Sequence, residues 1–239
     1  MWIETELAQG ARPGQFVCVY TKNAAALLPR PISICEVNEE KTMLRLVYRT
    51  VGTGTNEFAA YHAGTEISLL GPLGNGFPVE KAAGKRVFLI GGGIGIPPML
   101  QLSKEIKKAG QAYCELSVLG YRNELFLNTD LEKYSQVYVA TEDGSAGTKG
   151  TVLDAIKEKG LSGDVIFACG PMPMLRAIKE YAAANNMEAY ISLEEHMACG
   201  VGACLGCVCK TKNVDAHSHV HNSRICTDGP VYNAEEVEI

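Results

Sequence analysis

The sequence predicts a mixed β and α/β chain in three parts. These are a small antiparallel β-barrel (residues 1–82), a parallel-sheet α/β domain (83–193) and a small cysteine-rich carboxy-terminal domain (194–239). Three observations predict this order. The first part consists of short β-branched and apolar runs punctuated by Gly and Pro, with no long amphipathic helix. From about Gly84, apolar runs alternate with helix-like stretches, the pattern of a parallel sheet covered on both faces. After Glu194 that regularity fades, and five of the 9 cysteines crowd between Cys199 and Cys226.

In the first part, Gln15–Tyr20, Met43–Tyr48 and Glu66–Leu70 read as strands. Arg12-Pro13-Gly14, Gly71-Pro72-Leu73-Gly74 and Asn75-Gly76 read as turns. In the second, Arg86–Ile90, Tyr113–Leu119, Gln136–Thr141, Asp164–Cys169 and Glu188–Leu193 are the strand candidates. Pro97–Lys108, Thr151–Lys159 and Pro171–Asn185 are the helices between them. The tail holds too few large apolar residues to fold around a core of its own, so something else must order it.

Composition narrows the function classes. The chain has 239 residues, 46% of them hydrophobic and 21% charged, which is enough for a sizeable core without disulfides. Lys and Arg number 22 against 27 Asp and Glu, a net charge of −5, and no basic block appears. Nucleic-acid and anionic-membrane partners are therefore not expected. No apolar run approaches the roughly 18 residues of a membrane span. Glu4 and Glu6 stand where a signal peptide carries basic residues, and the cysteine count is odd, so the expected address is the reducing cytoplasm.

The cysteine tail carries the most specific chemistry. Cys199, Cys204 and Cys207 are spaced C-x4-C-x2-C and Cys226 follows, the plant-type arrangement for a 2Fe–2S cluster held by four thiolates. Gly200, Gly202 and Gly206 allow the loop to wrap closely round such a cluster. A structural zinc site more often shows paired C-x2-C elements, and only one such pair of that kind is present. Cys209 is left outside the ligand set, because in a β-like run it leaves on the opposite face from Cys207. His217, His219 and His221 read as a solvated hairpin tip rather than a metal site.

Two glycine turns point to a nucleotide. Ile90-Gly91-Gly92-Gly93-Ile94-Gly95-Ile96-Pro97-Pro98 leaves a strand and opens a helix, where backbone N–H groups can approach a pyrophosphate. Pro97 and Pro98 suit a first helical turn. Ala168-Cys169-Gly170-Pro171-Met172 repeats the strand-to-helix change, and both turns belong at the carboxyl edge of the sheet, where open α/β sheets bind ligands. Cys169 either faces a bound ring there or is simply packed.

With these elements in hand, the chain resembles the ferredoxin–NADP reductase superfamily of flavoproteins. Arg30-Pro31-Ile32-Ser33 is similar to its flavin motif, in which the Arg contacts the flavin phosphate and the Ser lies near the isoalloxazine. Val47-Tyr48-Arg49 and Gly52-Thr53-Gly54-Thr55 resemble the second flavin segment, with Gly54 and Thr55 closing on the pyrophosphate. Gly92, Gly93, Gly95, Cys169, Gly170 and Pro171 fall in the two nicotinamide-nucleotide turns.

Within that superfamily the string from Glu194 to Cys209 closely resembles the electron-transfer subunits of type B dihydroorotate dehydrogenases. The resemblance implies FAD, a 2Fe–2S cluster on Cys199, Cys204, Cys207 and Cys226, and NAD as electron acceptor. It also implies a separate FMN-bearing catalytic subunit, in a heterotetramer of two of each, with electrons passing from FMN through cluster and FAD to NAD in pyrimidine biosynthesis. Such a relay is coherent chemically, because a flavin mediates between a two-electron nicotinamide and a one-electron cluster. It requires no covalent nucleophile.

Relative to that pattern the chain begins about one strand short, and the gap before Cys226 is a few residues long. Arg122 and Glu124 pull in opposite directions on the choice between NADP and NAD. Three other functions remain open to the sequence. One is the equivalent subunit of a sulfide dehydrogenase or NADPH-linked ferredoxin oxidoreductase. A redox sensor that tolerates loss of the Gly95 and Gly170 turns is the second, and a colourless zinc-stabilised module the third.

Overall fold

A computed structural model describes residues 1–215 and 219–239. His217 lies outside the described residues. The first part folds as a five-stranded antiparallel sheet formed by β1 (Trp2–Glu4), β2 (Phe16–Val19), β3 (Arg30–Val37), β4 (Met43–Leu46) and β5 (Leu69–Leu73), in the order β1-β4-β3-β2-β5. Val17, Val19, Ile34, Leu44 and Leu46 turn inward around Phe58 and are fully or almost fully buried. Phe58 comes from α1 (Thr53–Ala59), a short helix not among those expected from the sequence.

The second sheet has seven strands in the order β14-β11-β10-β6-β7-β8-β9. Its members are β6 (Arg86–Gly92), β7 (Cys114–Tyr121), β8 (Gln136–Thr141), β9 (Thr148–Lys149), β10 (Val165–Cys169), β11 (Glu188–Ser192) and β14 (Val231–Asn233). All neighbours are parallel except β11 and β14. The inner strands are apolar on both faces, as a sheet covered twice requires. The helices are α2 (Pro97–Ala109), α3 (Asn128–Leu131), α4 (Val152–Glu158) and α5 (Met172–Ala184).

Within the third part β12 (Val208–Lys210) pairs with β13 (Asn222–Arg224), and Thr211 forms a single bridge to Val237. It is ordered from outside: β14 joins the parallel sheet, and Cys207, Ile225, Cys226, Tyr232, Ala234 and Val237 enter the core beneath it. His219 and His221 are exposed in the segment between β12 and β13.

Helix α2 locks the first sheet to the second. Pro97 and Pro98 open it without wasting N–H groups, and Gly110, at φ 63°, closes it by donating to Ile106 and Lys107 carbonyls. Midway along, the Gln101 Oε1 accepts from the Val37 N–H at 2.7 Å. The Lys104 Nζ donates to the Val37 carbonyl at 2.9 Å and pairs with Glu39 at 2.8 Å. The carboxyl end of β3 is thus held on the helix that follows the glycine turn.

Glu115 on β7 is the other polar feature of this region. Burial pushes its carboxyl up to about 7, against the opposing hydrogen bond donated by Ser103 Oγ at 3.2 Å. A carboxyl raised on folding favours the folded state below its ordinary pKa of 4.5 and loses that contribution as pH rises through about 7. Glu115→Gln is therefore expected to flatten the fall in thermal midpoint between those two pH values. Parallel midpoint-against-pH curves for variant and wild type would contradict this.

Candidate functional site

The register of β2 against β3 builds the first portion of the site. Val19, Cys18, Val17 and Phe16 lie opposite Arg30, Pro31, Ile32 and Ser33, so the motif strand is backed along its length. Ile32 is buried, Arg30 and Ser33 are half-buried, and Pro31 is exposed. The Arg30 guanidinium donates to the Leu28 carbonyl and lies across Gly54, where any Cβ would collide with it. That close approach explains why Gly54, inside α1, has no side chain.

Thr55 Oγ1 accepts from the Val51 and Gly52 N–H groups at 3.0 and 3.2 Å, fixing the turn that enters α1. Val47 and Tyr48 follow β4 half-buried, and Tyr48 meets Phe58 edge-on at 6.0 Å. Arg49 is exposed. The structure therefore brings together Arg30 and Gly54, residues of the two segments that resemble flavin motifs.

The two glycine turns also meet. A Cβ on Gly95 would lie 2.6 Å from the Gly170 nitrogen and nearer still to the Cys169 carbonyl. One on Gly170 would lie 3.1 Å from the Gly92 nitrogen. Gly93 has φ 52° with open space beyond it, and Pro171 is exposed at the start of α5. Both turns occupy the carboxyl edge of the sheet, because Cys169 pairs with Gly91 in parallel register.

Cys169 is only 1% exposed, and burial pushes its thiol up to about 12. The charge of Glu194 adds to that rise, and Ser192, at the end of β11, opposes it. Neither of those two neighbours was singled out from the sequence. Arg122, beyond β7, pairs with Glu142 across 3.8 Å of exposed surface.

The four cysteines gather in one loop system. Cys204 acts on the Cys199 thiol, and Cys207 and Cys199 act on that of Cys226, so the four lie within electrostatic reach of one another. Backbone N–H groups are already aimed at the sulfurs. Val201 and Cys204 donate to Cys199 Sγ at 3.4 Å each, Gly202 to Cys226 Sγ at 3.2 Å and Gly206 to Cys204 Sγ at 3.4 Å. Such donors lower the Cys199 thiol, while burial raises that of Cys226.

Among the described residues no three His, Cys, Asp or Glu converge on a single-ion geometry. Four neighbouring cysteines, three of them with amide donors on their sulfurs, match in number the four thiolates that a two-iron cluster takes. Gly200 and Gly202, at φ 71° and 78°, permit the wrapping. Cys209 turns away, hydrogen-bonded to Tyr232.

The cluster loop is seated on the barrel. A Cβ on Gly200 would lie 3.1 Å from Leu73 Cδ1 and 3.2 Å from Cys18 Sγ. Cys18 is fully buried there, its thiol raised to about 11 by burial and by Cys199 and Cys207. No sequence signal marked Cys18, because its partner lies far along the chain.

An antiparallel half-barrel, a parallel sheet with a double glycine edge and a four-cysteine loop define a class. It is that of ferredoxin–NADP reductase-type oxidoreductases carrying an iron–sulfur module. Comparison with known proteins agrees. Residues 194–238 match the iron–sulfur cluster binding domain of dihydroorotate dehydrogenase B, and residues 89–180 the oxidoreductase NAD-binding domain.

The dihydroorotate dehydrogenase B (NAD(+)) electron transfer subunit of Geobacillus sp. (strain WCH70) is 44% identical over 94% of this chain and 86% of its own length. That of Shouchella clausii is 43% identical over 98% and 90%. Among solved structures, an NADH-dependent reduced ferredoxin-NADP oxidoreductase studied for flavin-based electron bifurcation superposes with a TM-score of 0.87. It is 30% identical, over 99% of this chain and 83% of its own. The chain belongs to the family of dihydroorotate dehydrogenase B (NAD(+)) electron transfer subunits.

Proposed function

We propose that this chain relays electrons from the FMN of a dihydroorotate-oxidising catalytic subunit to NAD, in pyrimidine biosynthesis. The observation that carries this reading is the seating of the four-cysteine loop on β2, the strand that backs Arg30–Ser33. When bound, FAD exchanges single electrons with a 2Fe–2S cluster and a hydride with nicotinamide. The chain's own residues bind, orient and insulate.

Arg30, Pro31, Ile32 and Ser33 with Val47, Tyr48, Arg49, Gly54 and Thr55 hold FAD in this reading. Arg30 supplies the charge for its phosphates, and β3 the wall for its ring. Gly92, Gly93, Gly95, Gly170 and Pro171 receive NAD at the sheet edge, with Cys169 a neutral, packed thiol beneath the nicotinamide. Glu142 stands beside Arg122 and opposes a 2′-phosphate, which supports NAD over NADP. Cys199, Cys204, Cys207 and Cys226 ligate the cluster, and the amide donors on their sulfurs tune its potential.

The three working units in this reading are residues 1–82 for FAD, 83–193 for NAD and 194–239 for the cluster. The assembly is a cytoplasmic heterotetramer of two relay and two catalytic subunits. Val201 and Leu205, each 54% exposed beside exposed Cys204, give the cluster loop an apolar rim that a catalytic subunit can cover. Among the described residues no helix is long and apolar enough to cross a membrane.

The test is made on the gently purified, anaerobic complex. Dihydroorotate is expected to bleach the flavin and cluster bands, and NAD to restore them. The isolated chain is expected to oxidise NADH with artificial acceptors and to leave dihydroorotate untouched. Turnover of dihydroorotate by the lone chain would refute the division of labour. Bleaching of the complex by NADH or NADPH but not by dihydroorotate would assign the relay to another partner.

A further inference from the structure

Asn75 follows β5 in a segment that reads from sequence as an ordinary Asn-Gly turn. In the structure it reaches across to the stretch that follows Cys226. Its backbone N–H donates to the Gly229 carbonyl at 2.6 Å. Its Nδ2 donates to the Asp228 carbonyl at 3.0 Å and the Val231 carbonyl at 2.7 Å. Its Oδ1 accepts from the Val231 N–H at 3.0 Å. One residue of the barrel part therefore makes four hydrogen bonds to a segment more than 150 positions away.

Both ends of this staple are themselves held. On the barrel side, Gln15, next to β2, donates its Nε2 to the Gly74 carbonyl at 2.7 Å, and Phe77 N–H donates to Pro13 at 2.8 Å. On the cluster side, Asp228 accepts from Arg224 Nε and Nη2 at 3.0 and 3.1 Å. Cys226 lies inside the loop that this ion pair closes. The loop bearing Cys199 and Cys204 rests separately, through Gly200, on Cys18 and Leu73.

We propose that Asn75 is the positioning residue of the relay. By tying Asp228–Val231 to the barrel, it sets how closely Cys226 and the metal it holds approach the flavin strand β3. The inference rests on the assignment of cluster and FAD argued above. It goes further in naming the contact that fixes their separation. β14 anchors the tail to the NAD-binding sheet. Within Asp228–Val231 the Asn75 side chain adds three hydrogen bonds to the barrel. They stand beside its own backbone bond to Gly229 and the packing of Gly74 on Gly229 and Pro230.

The discriminating variant is Asn75→Asp. It keeps the acceptor for the Val231 N–H but puts a carboxylate oxygen where two carbonyls need a donor, so like charges face each other at two bonds. Asn75→Ala removes both functions. The holo-complex of each variant is mixed rapidly with NADH. Flavin reduction is followed by absorbance, and cluster reduction by freeze-quench electron paramagnetic resonance.

Flavin reduction is expected at the wild-type rate, because β6, β10 and α2 are untouched. Transfer to the cluster is expected to slow by about tenfold or more, the usual scale for removing a residue that orients a metal site from behind its ligands. Wild-type transfer in both variants at full iron content overturns the role of Asn75 alone. Absence of any cluster signal in the wild type overturns the assignment beneath it.

If a variant fails to retain iron, amide exchange over residues 226–233 is compared with that of wild-type protein stripped of its iron. Faster exchange in the variant supports the staple, and equal exchange overturns it.

Discussion

Cys204→Ser is expected to yield a yellow protein in place of a brown one: normal FAD, with iron and acid-labile sulfide near background. A 2Fe–2S cluster takes four thiolates, and in the proposed assignment Cys204 is one of them. Removing one sulfur would leave the site one thiolate short of that set. The fold itself does not depend on this sulfur, since Cys204 is exposed and its Sγ accepts the Gly206 N–H at 3.4 Å. Dihydroorotate-to-NAD electron transfer in the complex is expected to fall by more than about 100-fold, because changes behind the ligands alone reach that scale.

NADH oxidation with artificial acceptors, which needs only the flavin and nicotinamide sites, is expected to survive the substitution. Cys209→Ser is the matched control, for that thiol faces Tyr232 and its loss leaves iron content intact. Wild-type iron and sulfide in Cys204→Ser would remove Cys204 from the ligand set. Iron loss in Cys209→Ser would bring Cys209 into it.

What was legible in the sequence is what local chemistry dictates. The cysteine spacing is read directly because a compact cluster constrains nearby ligands, and the alternation of strands and helices because burial imposes its period. Gln136–Thr141 is a strand over the range expected, and the helix expected over Pro97–Lys108 runs to Ala109. The less legible features depend on tertiary position. A strand expected over Glu66–Leu70 lies instead over Leu69–Leu73, spanning Gly71 and Pro72, which read as a turn. Proline is tolerated there because β5 is a sheet edge, where its missing N–H faces no neighbour.

The sequence also showed that the tail could not fold alone, but not what would order it. Tyr190–Ser192 pair with Val231–Asn233, and Asn75 bonds to Asp228 and Val231. Neither contact leaves a local pattern to read. In the candidate site, Arg30 and Gly54 belong to two motifs recognised separately, and their contact is purely three-dimensional. The same holds for Gly95 and Gly170, whose shared edge was expected from topology but whose backbone contact was not.

That contact makes Gly95→Ala the most informative single methyl in the chain. Gly95 is buried, and an added Cβ would meet not a side chain able to rotate away but the Cys169 carbonyl group and the Gly170 nitrogen, the latter at 2.6 Å. The ends of β6 and β10 would have to part, at an overpacking cost of about 1–3 kcal/mol. The turn that receives the dinucleotide would move with them. Misplacing a reacting group by about 1 Å costs on the order of 100-fold in rate, so reduction of the flavin by NADH is expected to fall by about that factor.

Dithionite should still reduce flavin and cluster fully, since neither of their binding loops includes Gly95. Gly93→Ala is the graded comparison. Its Cβ meets nothing, and only the φ of 52° penalises it, by about 1–2 kcal/mol. It is expected to weaken NADH-dependent reduction far less. Rapid-mixing reduction with NADH at matched FAD content decides the matter. A wild-type rate in Gly95→Ala would remove the double glycine edge from the nicotinamide site, whereas equal losses in the two variants would trace the effect to turn conformation rather than to the contact between β6 and β10.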